Sequence, residues 1–203
     1  MGIAFLKYNF YKLFFNQSRY MLRTHSFILL LALLCVSQSQ AQHAVDGKPT
    51  NAYIEMNYPK LWAELKKIEA EGTTIQFFDT MRGPGRAAND KIQLNQTFFN
   101  QPRPAFPEDR LIIVVLHEYG HVLHAKKMKG KKVEQDFETS VNNEYEAFKY
   151  SVEQAVIRAK ASDKGPLQQV LKNLKQRSEG GKDKTNDPHI PAINRLMKEP
   201  LWK

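Results

Sequence analysis

Five residues constrain this chain more than any others: His117-Glu118-Tyr119-Gly120-His121. They sit inside an apolar segment, Leu111 to His124, that reads LIIVVLHEYGHVLH. Residues four apart share a helix face, so the spacing predicts His117 and His121 side by side on one helix. Two imidazoles so placed can hold one zinc ion as metal ligands. Glu118, next to the first of them, can reach a metal-bound water as its catalytic base. Zinc brings the pKa of such a water to about 7, and the carboxylate takes the proton as the water attacks a carbonyl.

The flanks fit a single helix of about 20 residues. Pro107, Glu108 and Asp109 suit a first turn, where proline is tolerated and acids complement the dipole. Lys126, Lys127 and Lys129 fall at the far end, and Gly130 is placed to cap it. Gly120 allows close packing beside this helix, and Tyr119 reads as core.

Residues 1–41 read as a signal peptide. They carry Lys7, Lys12, Arg19 and Arg23, no acid, and the apolar run Phe27–Val36. Ser39-Gln40-Ala41 fits a small-x-small cleavage site that would leave Gln42 as the mature start. Met21 is an alternative true start, because the stretch before it is long for an n-region. The apolar run is short for a membrane span, and no anchor is expected once it is removed. A secreted or periplasmic protein follows as the expectation.

The one cysteine, Cys35, lies in that leader. Residues 42–203 would therefore use no disulfide, thiolate ligand or cysteine nucleophile, which excludes cysteine proteases and cysteine zinc fingers. Without the four basic residues of the leader, 26 Lys and Arg remain against 21 Asp and Glu, a net charge of +5. So mild a bias gives a nucleic-acid partner no footing.

Taken in order, residues 42–57 read as an extended lead-in, with His43 close to the mature end and expected to be disordered. Tyr58–Glu71 has apolar residues at helical spacing and stops at Gly72. Thr73–Asp79 is rich in β-branched and aromatic residues, a strand. Met81–Asp90, with its Gly-Pro-Gly and Asn-Asp, is a loop or hairpin tip. Lys91–Phe99 opens with Ile92 and Leu94 alternating with polar residues, a half-buried strand. Gln101–Pro107 is a proline-rich connector. After the motif helix and a polar stretch, Lys131–Glu138, come helices over Thr139–Ala161 and Pro166–Arg177. A flexible connection, Ser178–Pro188, leads to a short last helix, His189–Lys198. The expected architecture is one α+β domain, residues 42–203, with a small sheet packed on the motif helix and a helical C-terminal half.

A catalytic zinc takes three protein ligands and leaves one position open. His124 shares the motif face but lies seven residues from His117. A helix rises about 10 Å over that distance, too far for one ion. Glu144 and Glu146, on the next helix in Asn142-Asn143-Glu144-Tyr145-Glu146-Ala147, are the other candidates, and they point about 200° apart.

His-Glu-x-Gly-His, a short linker and a helix bearing Asn-Glu-x-x-Ala resemble the gluzincin metallopeptidases, a group that includes thermolysin. The resemblance covers residues 73–160. It implies a zincin-like fold, one Zn2+ per chain held by His117, His121 and Glu144, and Glu118 as general base. It implies a peptide or protein substrate paired with Lys91–Asn95 as the edge strand. Many gluzincins carry an acid four residues after the ligand glutamate to orient the first histidine. Here that position is Phe148, which leaves a backbone carbonyl or Asn143 for the task. Tyr145 and His189 are candidates to stabilise the oxyanion. The expected activity is metal-assisted peptide hydrolysis. The alternatives are a catalytically inactive zinc-binding protein and an amidase acting on cell-wall peptides.

Overall fold

The computed structural model describes residues 51–200 apart from 79, 101–102, 131–135 and 181–185. These residues fall within one compact unit. The signal-peptide reading, Met21, Cys35 and His43 lie outside them.

The elements are α1 (Asn51–Asn57), α2 (Pro59–Ala70), β1 (Thr74–Phe78), β2 (Gly85–Ala88), β3 (Lys91–Asn95) and α3 (Gln96–Phe99). Then come α4 (Glu108–Met128), α5 (Phe137–Lys160), α6 (Gly165–Gly180) and α7 (His189–Leu196). The architecture is α+β: a three-stranded mixed sheet and a larger helical part. None of the described helices is long and apolar enough to cross a membrane.

The sheet order is β1-β3-β2, with β1 parallel and β2 antiparallel to β3. Lys91–Asn95 is therefore the central strand, not the edge strand. Its register runs from Thr74↔Lys91 to Phe78↔Asn95 on one side and from Gly85↔Leu94 to Ala88↔Lys91 on the other. The edge beside the motif helix is β2, within the stretch Met81–Asp90 expected to be a loop or hairpin tip, and Asn89-Asp90 is the tip of its hairpin with β3. The β2 sequence GRAA has no apolar alternation to announce a strand. It pairs because Asn89, at φ 56°, turns the chain back onto β3.

The same strand ends four residues sooner than the pattern of Lys91–Phe99 indicates. The Asn95 side chain accepts from the Thr97 N–H at 3.1 Å and starts α3. Phe99 then turns inward onto Phe77, ring centres 5.7 Å apart. Residues 51–57 are likewise helical rather than extended, because Ile54 is buried completely against the core.

α4 runs through the middle of the core. Leu111, Ile112, Val115, Leu116 and Val122 are fully buried, each contributing about 1.5–3 kcal/mol over exposure. The Tyr119 ring is buried too, and its hydroxyl donates to Glu71.

The first-turn acids of α4 act on other helices as well as their own. Glu108 Oε1 accepts from the Lys60 and Leu61 N–H groups at 2.7 and 3.0 Å, capping α2, whose own N-cap Tyr58 makes no side-chain cap bond. Asp109 pairs with Lys60 and fills the space over Gly165, where any Cβ would overlap its carboxylate.

α5 begins at the Asp136 cap, which accepts from the Thr139 N–H at 2.7 Å. It crosses α4 at Gly120, where a Cβ would lie 2.8 Å from Ala147 Cα. The glycine of the histidine motif and the alanine of Asn-Glu-x-x-Ala are thus the point of closest approach. α7 is fastened to α5 by Tyr145–Glu199, by Arg195 Nη1 on Asn142 Oδ1 at 2.7 Å, and by Arg195 over the Tyr145 ring at 4.0 Å.

Candidate metal centre

The Gly120–Ala147 contact puts Glu144, one turn earlier on α5, opposite the two histidines of α4. Glu144 Oε2 lies 3.3 Å from His117 Nε2, and Oε1 lies 3.5 Å from His121 Nε2. The two imidazoles stand edge to face, centres 4.7 Å apart. A fourth group joins them from α7: His189 Nε2 is 3.3 Å from Glu144 Oε2. Ligand atoms of His117, Glu144 and His189 all lie within 4.8 Å of one another, so His189 groups with the carboxylate as closely as His121 does.

The donor set suits a divalent cation of zinc type. Imidazole nitrogen and carboxylate oxygen are its common ligands. Ligand atoms about 2.0–2.1 Å from a tetrahedral ion stand roughly 3.3–3.4 Å from one another, close to the separations of the Glu144 oxygens from the three imidazoles. The group whose ligand atoms all lie within 4.8 Å of one another, however, is His117, Glu144 and His189, without His121. Glu144 Oε2 is buried, and its neighbours are the His117 and His189 Nε2 atoms at 3.3 Å, which bond it only when they carry a proton. A buried carboxylate oxygen facing unprotonated imidazoles costs free energy unless a cation meets it.

Burial pushes the Glu144 carboxyl up, but hydrogen bonds and charge from His117 and His121 override it and hold the group well below the usual carboxylate range. At His121 burial acts to lower the pKa, and the facing Glu144 and nearby Glu118 reverse this, leaving it raised. Glutamate and histidine thus stabilise each other's charged forms.

The histidines are oriented by different means. His189 Nδ1 is 2.6 Å from Asp187 Oδ1, which also accepts the His189 N–H at 3.0 Å. Asp187 was not singled out in the sequence, although Asp-x-His on a helix start lets the carboxylate reach back to the ring. His117 Nδ1 is buried with no partner among the described residues, so neither a backbone carbonyl nor Asn143 orients it. The Phe148 ring does so instead by packing at 4.3 Å and 42°. His117 is thus held on this side by an apolar ring and not by a hydrogen bond.

Glu118 is 8% exposed, and its Cγ lies 3.1 Å from the point where Gly85 would carry a Cβ. The edge strand β2 therefore begins at the candidate base, and a larger residue at 85 would crowd it. Both face a cleft of about 1750 Å³ whose walls include β2, α4, α5 and His189.

Of the remaining candidates, His124 lines the cleft beyond His121 with Nδ1 buried and unpartnered, and makes no ion pair with Glu144. Glu146 is not among the groups that meet the histidines. Tyr145 is committed to Glu199, and burial first, then that carboxylate, pushes its hydroxyl up to about 12. No protein-family model, curated protein or solved structure matches this chain.

Proposed function

We propose that this protein is a zinc-dependent peptidase of gluzincin type with a zincin-like fold, exported by its leader to a secreted or periplasmic location. The observation that carries this reading is the Glu144 carboxylate, which faces both motif histidines across 3.3 and 3.5 Å, with Glu118 lining the same cleft. His117, His121 and Glu144 would hold the ion. When bound, zinc would supply Lewis acidity that makes a water lose its proton near neutral pH.

The protein's own groups do the rest. Glu118 accepts that proton and later gives it to the leaving amine. The free edge of β2, Gly85–Ala88, offers backbone groups to an extended peptide. His189, held by Asp187, donates to the oxygen on which charge develops as the carbonyl is attacked. Tyr145 has no part in this, its hydroxyl being occupied elsewhere.

Metal analysis and peptide hydrolysis on the same preparations test the reading. Zinc should bind at one per chain and be lost in Glu144→Ala. Glu118→Ala should keep zinc and lose hydrolysis by about 10²–10⁴-fold. Undiminished hydrolysis in Glu118→Ala would sink the mechanism.

One observation favours a second reading. His189 is close enough to serve as a fourth protein ligand, and four ligands make a closed, structural site. His189→Ala separates the two. Zinc held as tightly with activity reduced fits the peptidase; zinc weakly held, in a protein that never hydrolysed peptides, fits the closed site.

A further inference from the structure

The cleft is basic beyond what its metal centre needs. Arg82, Arg86, Arg110, Lys126, Lys129 and Arg177 line it, and Asp90 is the other carboxylate beside Glu118 and Glu144 among its described residues. Some of these cations are accounted for. Arg86 donates to Gln93 Oε1 at 2.6 Å and Lys126 to Thr73 Oγ1 at 3.2 Å. Arg82 and Lys129 are exposed to water.

Arg110 and Arg177 differ from these in being half-buried without an acidic partner among the described residues. Arg110 has the Ala105 carbonyl at 2.6 Å and the face of Phe106 at 4.1 Å. It stands in the first turn of α4, where the helix dipole disfavours a cation. Burial lowers its pKa, and the Arg177 charge lowers it further. Arg177 reaches in from α6 to 5.7 Å from the Phe148 ring, the ring that packs on His117. Asp187 feels its charge but is engaged by His189. Two half-buried guanidiniums thus line one cleft, each against an aromatic ring, and Arg110 stands against its helix dipole as well.

We propose that Arg110 and Arg177 form a carboxylate-binding subsite, and that the peptides taken by the metal centre carry an anionic group reaching it. The proposal rests on the peptidase reading for its substrate class. Guanidiniums recognise carboxylates through paired N–H donors, and two of them desolvated by aromatic faces do so strongly. Arg110 precedes His117 by two helical turns, about 10 Å. An extended peptide covers that distance in about three residues. The anionic group therefore lies two to four residues from the bond at the centre. It is either the peptide's C-terminal carboxylate or an Asp or Glu side chain.

The test is selection of peptides from a random octapeptide library by the immobilised, zinc-loaded full chain, followed by sequencing of what is retained. The library is presented once with free C-termini and once amidated. Retention only from the free library assigns the C-terminal carboxylate. Enrichment of Asp or Glu at one position in both libraries assigns the side chain. In either case Arg110→Gln and Arg177→Gln should each reduce the preference about tenfold, and Arg177→Glu should replace it with a preference for Lys or Arg. No retention, or retention without preference for an anionic group, overturns the proposal, as does a preference untouched by both Gln variants. Retention is scored without cleavage. An anionic preference in a protein that hydrolyses nothing leaves the subsite standing and removes the peptidase reading.

Discussion

Charge is handled in opposite ways on the two sides of α4. On the side facing α2 and the start of α6, charged groups are matched. Lys60 Nζ is 3.3 Å from Asp109 and 2.8 Å from Asp163, and Arg158 pairs with buried Glu64 and lies 3.7 Å from Asp163. On the cleft side Glu144 faces imidazoles that are charged only when protonated, and Arg110 and Arg177 have no carboxylate partner among the described residues. The matched side is a joint that holds helices in place. On the function proposed above, the charges of the unmatched side are completed by a metal ion and an anionic substrate.

The largest effect should come from breaking the joint. Arg158→Met removes the partner of Glu64, whose side chain is 5% exposed. A carboxylate left buried and unpaired costs about 3 kcal/mol. Urea unfolding should show that loss, and Arg158→Met combined with Glu64→Leu should recover most of it. If the double variant is no better than the single, the cost lies in packing rather than in unmatched charge.

The cleft should respond differently, with a pH dependence that its own groups set. Glu144 is depressed, so its contribution is present above the ordinary carboxylate range, about 4.3, and is lost as pH falls. His121 is raised, so its contribution is full below about 6.5 and is lost as pH rises through its raised value. In the metal-free protein the pair stabilises between these limits. Glu144→Gln should cost about 1–2 kcal/mol near pH 5.5 and little at pH 8.5, where a buried carboxylate would face neutral imidazoles. Zinc affinity should run the other way, rising from pH 5.5 to 7.5 as protons leave the histidines. Thermal melts with and without zinc across this range check both slopes. A Glu144→Gln cost that does not vary with pH would separate the carboxylate from the histidines it faces.

The contrast between the two sides also explains what could be read from the residues alone. The motif helix was legible because one helix fixes its own face, whereas the residues alone left Glu144 and Glu146 open and only the resemblance to gluzincins singled out Glu144. Gly120 and Ala147 prove to be where the second helix approaches. The edge strand was misplaced because β2 is a strand by pairing, not by pattern. GRAA buries too little to alternate, while Lys91–Asn95 alternates strongly because it is central. Phe148 was visible as a departure, but its stacking on His117 depends on a rotamer no spacing reveals. His189 was visible as a lone histidine. Its meeting with Glu144 depends on α7 being fastened to α5 by Tyr145, Arg195 and Glu199, a set of long-range contacts with no sequence signature.

The smallest effect tests whether the matched side acts through charge or through hydrogen bonds. Glu108 Oε1 takes two N–H groups at the start of α2, and it does so from another helix. Removing such a cap costs about 1 kcal/mol. Glu108→Ala should lose that amount, since both Lys60 and Leu61 donors are then left to water or to nothing. Glu108→Gln keeps a carbonyl oxygen in the same place and gives up only the interaction of full charge with the α2 dipole, about 0.5 kcal/mol. Urea midpoints should therefore fall in the order wild type, Gln, Ala, and the gap between wild type and Gln should close in high salt while the gap between Gln and Ala persists. Should Gln match Ala at every salt concentration, the carboxylate at the head of α4 holds α2 by its charge alone, and the joint is electrostatic throughout.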